Sequence, residues 1–337
     1  MTDDEMPEGE PVRPFAVPIT SRFAAAAARV LKLYRERAEN GFLETEPLAG
    51  SPFMTDVATM TAMAEPEATA RLSLHSMLID IVGLSFETAL DHVRALEHDI
   101  VRDPAPVWSP LVSARAVLES CLFLEYLIDP SISCSLRLAR CAGLWRKDSD
   151  HATNAARVFG PEQQAEAANF DAYVTQALAD AKALERRNAK GRLVGYKVDG
   201  EAANLDFVIT ERARIALPAW IPMPYGLLSG AAHSRPWMTD RARRTGAEKG
   251  SGLVGEAATV MTALMVAMAS LEMSLKAWQG YFGFDLGEVL AELEEQHRMG
   301  RMYLLGVAHT VGALTPDFEH VYAAWVRVVA AGWRSFS

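Results

Sequence analysis

Cysteine is scarce in this chain of 337 residues. The three present, Cys121, Cys134 and Cys141, are odd in number and show no C-x-x-C spacing. Neither a disulfide framework nor a thiolate zinc site is indicated, and reduced thiols point to a cytoplasmic protein. Positive charge is also in short supply, with 33 Lys and Arg against 43 Asp and Glu and a formal net charge of −10. The chain is therefore not coated in the basic surface that duplex DNA binding uses, although a local basic groove stays open. Long apolar runs are missing too. The longest uncharged stretch toward the C-terminus, Ala257 to Leu271, is bracketed by Glu256, Glu272 and Lys276. It falls short of the roughly 20 residues a membrane helix needs, so a buried core helix is expected there.

Several signatures are absent as well. There is no G-x-x-x-x-G-K-[ST], no G-x-S-x-G and no H-E-x-x-H. "GSGLVG" at 250–255 has dinucleotide-fingerprint spacing, but it follows the polar "RARRTGAEK" where the fingerprint requires a strand. The N-terminal "MTDDEMPEGEPVRP" is acidic and proline-bearing, unlike a secretory leader. No cofactor is expected. Metal-binding pairs reduce to Glu294 with His297 and Asp317 with His320, a single true E-x-x-H where a di-iron bundle needs two.

What the chain does have is helix-forming sequence. Alanine is abundant and β-branched runs are few, so propensity favours helix. A helix capped by Ser21 is expected to end at Gly41, with "TEPLAGSPFMTD" as a loop after it. From Pro66 to Ile100 apolar residues recur at threes and fours, with Gly83 as a point of bending or division. "SPLVSARAVLESCLFLEYLID", "CSLRLARCAGLWRKDSDHATNAARVFG" and "GPEQQAEAANFDAYVTQALADAKALERRNAKG" read as further helices, followed by others near 253–279, 286–298 and 316–332. "GRLVGYKVDGEAANLDFVIT" has two strand-like pieces but reads as irregular loop. The expected fold is all-α, a bundle of about eight to ten helices in one domain from residue 20 to 337. Residues 1–19 are expected to be a disordered acidic tail, and irregular loops are expected at about 188–222 and 238–252.

The polar residues with most chemical promise fall in two segments. "SARAVLES" places Arg115 and Glu119 four apart on an otherwise apolar helix. "YGLLSGAAHSRPW" sets Tyr225, Ser229 and His233 four apart, with Gly226, Gly230, Ala231 and Ala232 keeping that helix thin. A buried network bracing two helices is one reading. An anion or nucleotide pocket with His233 as acid or base is the other. "RKDSDH" offers a second histidine pattern, Arg146 and His151 in R-x-x-x-x-H spacing. Cations also cluster at Arg137, Arg140, Arg146 and Lys147, and at Arg186, Arg187, Lys190 and Arg192. They read as solvated helix ends, or as a phosphate-tracking groove where they converge.

The blocks "SARAVLESCLFLEYLIDPSISCSLRLAR" and "YGLLSGAAHSRPW" together resemble a group of uncharacterised, mainly actinobacterial, all-helical proteins. These carry R-x-x-x-E … L-x-D-P-x-I … R-x-x-R and a later Y-x-x-L-S-x-x-x-H. The arrangement is similar to HEPN-like families and covers about residues 70 to 335, with only those two blocks specific. It implies a helical bundle with Arg115, Glu119, Arg137, Arg140, Tyr225, Ser229 and His233 as signature positions, and it brings no known reaction with it. HEPN ribonucleases carry R-x(4–6)-H within one helix, and nothing equivalent precedes His233. An arginine serving it must come from another helix, Arg115 for instance.

The expectation is therefore a cytoplasmic HEPN-like bundle binding RNA or a nucleotide. His233, Arg115 and Glu119 would be its catalytic candidates if it is a metal-independent ribonuclease, and Tyr225, Ser229, Arg137 and Arg140 its binding residues. The alternative is a non-catalytic structural or interaction protein whose polar pairs only brace the core. The methionine-rich "VMTALMVAMASLEM" suits the interface of a homodimer and a monomer core equally well.

Overall fold

Proline and serine punctuate the chain in ways that decide where its helices begin. In the computed structural model, which describes residues 20–43, 46–103, 106–217, 224–233 and 257–310, there are ten helices and one three-stranded sheet among the described residues. The helices are α1 (Ser21–Leu43), α2 (Pro52–Thr61), α3 (Glu67–Ile100), α4 (Ser109–Ile128), α5 (Cys134–Ala156), α6 (Pro161–Asp180), α7 (Ile209–Ala216), α8 (Pro224–Ala232), α9 (Ala257–Phe282) and α10 (Gly287–Thr310). Pro52, Pro110 and Pro161 occupy first turns, where the missing N–H forfeits nothing. Ser51 and Ser133 cap α2 and α5 by accepting the amides of Met54 and Leu136 at 3.3 and 3.1 Å.

α4 lies at the centre, packed most extensively against α3 and α9. Its face of Leu111, Ala114, Val117, Leu118, Cys121, Leu122, Leu124 and Leu127 is fully buried. On α3, Leu74, Leu78, Val82, Phe86, Ala89, Val93, Leu96 and Ile100 form the matching stripe. Each such large apolar side chain contributes roughly 1.5–3 kcal/mol by leaving water. Contrary to the length expected from the uncharged run alone, the segment Thr259–Phe282 of α9 is long and apolar enough to cross a membrane, yet 78% of its most apolar stretch is buried inside the fold, as expected of a core helix. The methionine-rich stretch therefore packs within its own chain, with Met261, Met265 and Met268 in the core.

The structure corrects several expectations. "TEPLAGSPFMTD" contains most of the first turns of α2, because Ser51-Pro52 is a helix start and not only a loop signal. α3 passes through Gly83 as one helix, since both flanking turns are anchored by Val82 and Phe86 in the core. The cap of α1 is Thr20, whose Oγ1 accepts the Phe23 amide at 3.2 Å, so Ser21 is the first helical residue. Gly41 lies inside α1, where a Cβ would stand 2.8 Å from Val289 of α10, so it permits close helix approach.

The largest correction concerns 184–216. α6 stops at Asp180, and an antiparallel sheet follows in the order β1 (Leu184–Arg187), β2 (Leu193–Val198), β3 (Glu201–Asn204), then α7. Asp199 and Gly200, with φ of 45° and 96°, make the two-residue turn between β2 and β3, with Val198 paired to Glu201. Both positive φ values are what a type I′ hairpin requires. Tyr196, Val198 and Ala203 are buried, and β2 and β3 pack on α5. The expected tail at 1–19, the loop at 238–252 and the helix at 316–332 lie outside the described residues.

Candidate functional site

Tyr225, Ser229 and His233 keep one stripe of α8 because their spacing is close to one helical turn. His233 stands just past the last helical residue, but its amide donates to the Ser229 carbonyl at 3.0 Å and so continues the turn. Leu228, Gly230 and Ala231 are buried, and α8 packs on α4 and α7. The small residues let its polar stripe reach α4.

There the Arg115 guanidinium joins the two helices. Nε donates to Glu119 Oε1 at 2.7 Å, Nη2 to the Tyr225 hydroxyl at 3.0 Å, and Nη1 meets His233 Nε2 at 3.2 Å. Tyr225 in turn donates to Glu119 Oε1 at 3.0 Å. A guanidinium has only donors, so His233 Nε2 must accept, which places the imidazole in its neutral form with the proton on Nδ1. Burial opposes the Arg115 charge, but the Glu119 carboxylate and Tyr225 oxygen outweigh it and raise its pKa. Burial and the Glu119 charge both raise Tyr225, which keeps its phenol protonated as the donor to Glu119. Arg115 and Glu119 are half-buried, while His233 is exposed. The group thus has a neutralised floor and an imidazole on its open side. Ser229 is half-buried on the same stripe.

Tyr225→Phe removes one donor to Glu119 and one acceptor from Arg115 in this half-buried group. It is expected to lower stability by about 1 kcal/mol, measured by urea unfolding, and an unchanged midpoint would show that the triangle contributes nothing.

Arg137 and Arg140 stand elsewhere. They close the C-terminal end of α4, around residues 125–132, about 15 Å along the axis from Arg115. Arg140 donates to the Tyr126 carbonyl and covers the Tyr126 ring with its guanidinium carbon 4.0 Å from the centroid. Burial lowers its pKa. Arg212 of α7 binds Glu125 and Asp129 in the same place. Arg146 is on α5 but bonds to Asp150 at 2.7 Å, to Asp171 and to Thr175 at 3.3 Å. No Arg146–His151 contact occurs among the described residues, and His151 is exposed. His297, of the Glu294 and His297 pair, turns its Nδ1 toward Glu272 Oε2 of α9 at 3.4 Å. Asp317 and His320 lie outside the described residues. Among the described residues no three metal-binding side chains gather. Burial pushes the thiols of Cys121 and Cys134 up to about 12, the wrong direction for nucleophiles.

Sequence reasoning missed a second polar group. Arg137 is 1% exposed and donates Nη1 to Asp56 Oδ2 at 2.6 Å and Nη2 to the carbonyls of Asp129 and Ile132 at 2.9 and 3.1 Å. Its guanidinium lies 4.4 Å from the Tyr281 ring centroid. Tyr281 donates to Asp56 Oδ2 at 2.9 Å, and its hydroxyl meets His75 Nε2 at 2.7 Å. Nearby, Arg71 binds Asp199 and Glu67, and Ser135 donates to Asp199 at 2.8 Å, tying the β2–β3 turn to α3 and α5. The signal was present on α3: Arg71, His75 and Leu78 follow at helical spacing, so both polar residues fall on the buried face. This second group is closed on all sides and reads as a brace between α2, α3, α5 and α9. Comparison with protein-family models, curated proteins and solved structures finds no match for the chain.

Proposed function

We propose that the protein is a HEPN-like helical bundle that binds a phosphate-bearing ligand, RNA or a nucleotide, between α4 and α8. The observation that carries this reading is the 3.2 Å contact between Arg115 Nη1 and His233 Nε2 at the exposed edge of the pair of helices. HEPN ribonucleases obtain an arginine–histidine pair from one helix, and here two helices supply it. A phosphate oxygen arriving at Nη1 would replace the imidazole as acceptor. His233, held with its Nε2 lone pair forward, would then be released to take a proton from an attacking hydroxyl. Glu119 and Tyr225 would act on the ligand only through Arg115, by fixing its guanidinium plane.

Thermal unfolding with added nucleotide tests this. At a concentration about a hundred times Kd a bound ligand stabilises the fold by about 2.7 kcal/mol, and His233→Ala is expected to lose that shift while keeping the unliganded midpoint. Ribonuclease activity lost in the same variant would extend binding to catalysis. The second reading, a brace without a ligand, is favoured by the fact that Nε, Nη1 and Nη2 of Arg115 each already meet a partner. It predicts no ligand shift in the wild type and a lower midpoint in His233→Ala.

A further inference from the structure

Most arginines of the helical body face a carboxylate: Arg35, Arg71, Arg94, Arg146 and Arg212 all do. The β1–β2 hairpin is different. Between Leu184 and Val198 it carries Arg186, Arg187, Lys190, Arg192 and Lys197 against one acid, Glu185. Only Arg187 uses that acid, at 2.6 Å, and Arg186 bonds to the neutral Asn204 Oδ1 at 3.1 Å. Lys190 and Arg192 are exposed and meet no carboxylate among the described residues. In a chain of net charge −10 this is a concentrated patch of the opposite sign.

The patch is also held in place. Asn188 Oδ1 accepts the amides of Lys190 and Arg192 at 3.0 Å each, and Gly191 takes φ of 74° to close the turn. The strands behind it are fixed through Tyr196 and Val198 on α5, and at Gly195 a Cβ would stand 2.0 Å from the Ala203 carbonyl oxygen. Cations on a rigid projection lose less freedom when they meet an anion than cations on a loose loop.

We infer that this hairpin is a docking surface for the phosphate backbone of an RNA strand. The inference rests on the phosphate-bearing ligand proposed for the α4–α8 cleft, and it selects RNA over a mononucleotide. An RNA strand presents a row of phosphates that several of the hairpin's cations can meet at once, whereas a mononucleotide presents its phosphate at one point. Phosphate contacts of this kind carry no sequence information; they supply affinity that falls steeply with salt.

The test is fluorescence anisotropy of the full chain with a labelled oligouridylate across a salt series, with uridine monophosphate followed separately by thermal shift. Lys190→Gln combined with Arg192→Gln leaves the turn's backbone bonds to Asn188 intact. For two lost single-strand phosphate contacts, RNA binding at about 0.1 M salt is expected to weaken roughly twentyfold and the slope of log K against log salt to shrink by about 1.4. The mononucleotide shift should stay unchanged. Wild-type RNA affinity and slope in the double variant overturn the inference, as does a wild-type chain that does not bind the RNA. So does a patch that prefers vesicles containing phosphatidylserine over RNA. The cleft reading fails separately: if His233→Ala keeps the mononucleotide shift, or none exists, while the hairpin variant still loses RNA, the hairpin stands and the cleft does not.

Discussion

Arg137→Met is expected to lower stability in urea by about 3–5 kcal/mol. The argument begins with burial: Arg137 and Asp56 are 1% and 5% exposed, and their contact is 2.6 Å. Burial raises the Asp56 carboxyl above its ordinary range, and the Arg137 charge and the Tyr281 hydroxyl pull the other way. Methionine fills much of the arginine's volume, so the loss is electrostatic and not chiefly a cavity. It strands the carboxylate in the core and leaves the Asp129 and Ile132 carbonyls, which end α4 and shape the turn into α5, without their donor.

A double-mutant cycle separates the pair from its surroundings. Asp56→Asn alone should also destabilise, but Asp56→Asn with Arg137→Met should lose less than the two added together, with a coupling of about 2–3 kcal/mol. Strict additivity, or an Arg137→Met loss under about 1 kcal/mol, would show that water reaches the pair in solution. Either way the Arg115 group should be unaffected, because it shares no residue with this network.

How much of this could be read from the sequence depended on whether a pattern was local. The stripes on α3 and α4 are local, since apolar residues at threes and fours determine which face is buried. The i, i+4 placement of Arg115 with Glu119 and of Tyr225 with Ser229 and His233 is local too, and the structure brings all but Ser229 into direct contact at one point. That they meet required a distance between helices, which no spacing contains. The sheet was a different kind of failure. Asp199-Gly200 is a strong hairpin signal, but with strands of four and six residues around it, too few alternations stood there to outweigh a loop. Asp56, Arg137 and Tyr281 are separated by long stretches of chain, and only the folded packing makes them one network. Arg137 looked like a binding residue because it shares an R-x-x-R block with Arg140, but a helix that presents Arg140 to Tyr126 turns Arg137 toward the core.

His75 gives the second large effect, and it appears as a pH dependence. Its ring is 4% exposed, packed 5.4 Å from the Phe53 ring and bonded through Nε2 to Tyr281. Since the Tyr281 hydroxyl proton goes to Asp56, the Tyr281 oxygen accepts from His75, which fixes the neutral ring with its proton on Nε2. Burial, with the Arg137 charge adding to it, lowers the pKa to about 4 from the usual 6.5. The unfolded chain therefore binds a proton in a range where the folded chain does not. Stability is fully present above about pH 6.5, falls as pH drops toward 4, and changes no further on this account below that. The whole loss is about 3 kcal/mol by linkage. Glu272 acts in the same direction lower down: burial would raise it, but hydrogen bonds from His297 and Lys276 hold it at about 2, so its contribution fades only below its unfolded value of 4.5. The two windows separate the residues. His75→Gln, whose amide can still donate to Tyr281, should flatten the urea midpoint between pH 6.5 and 4.5 and leave the steeper fall below it intact. A profile that keeps its slope in the upper window would place the responsible proton on another group.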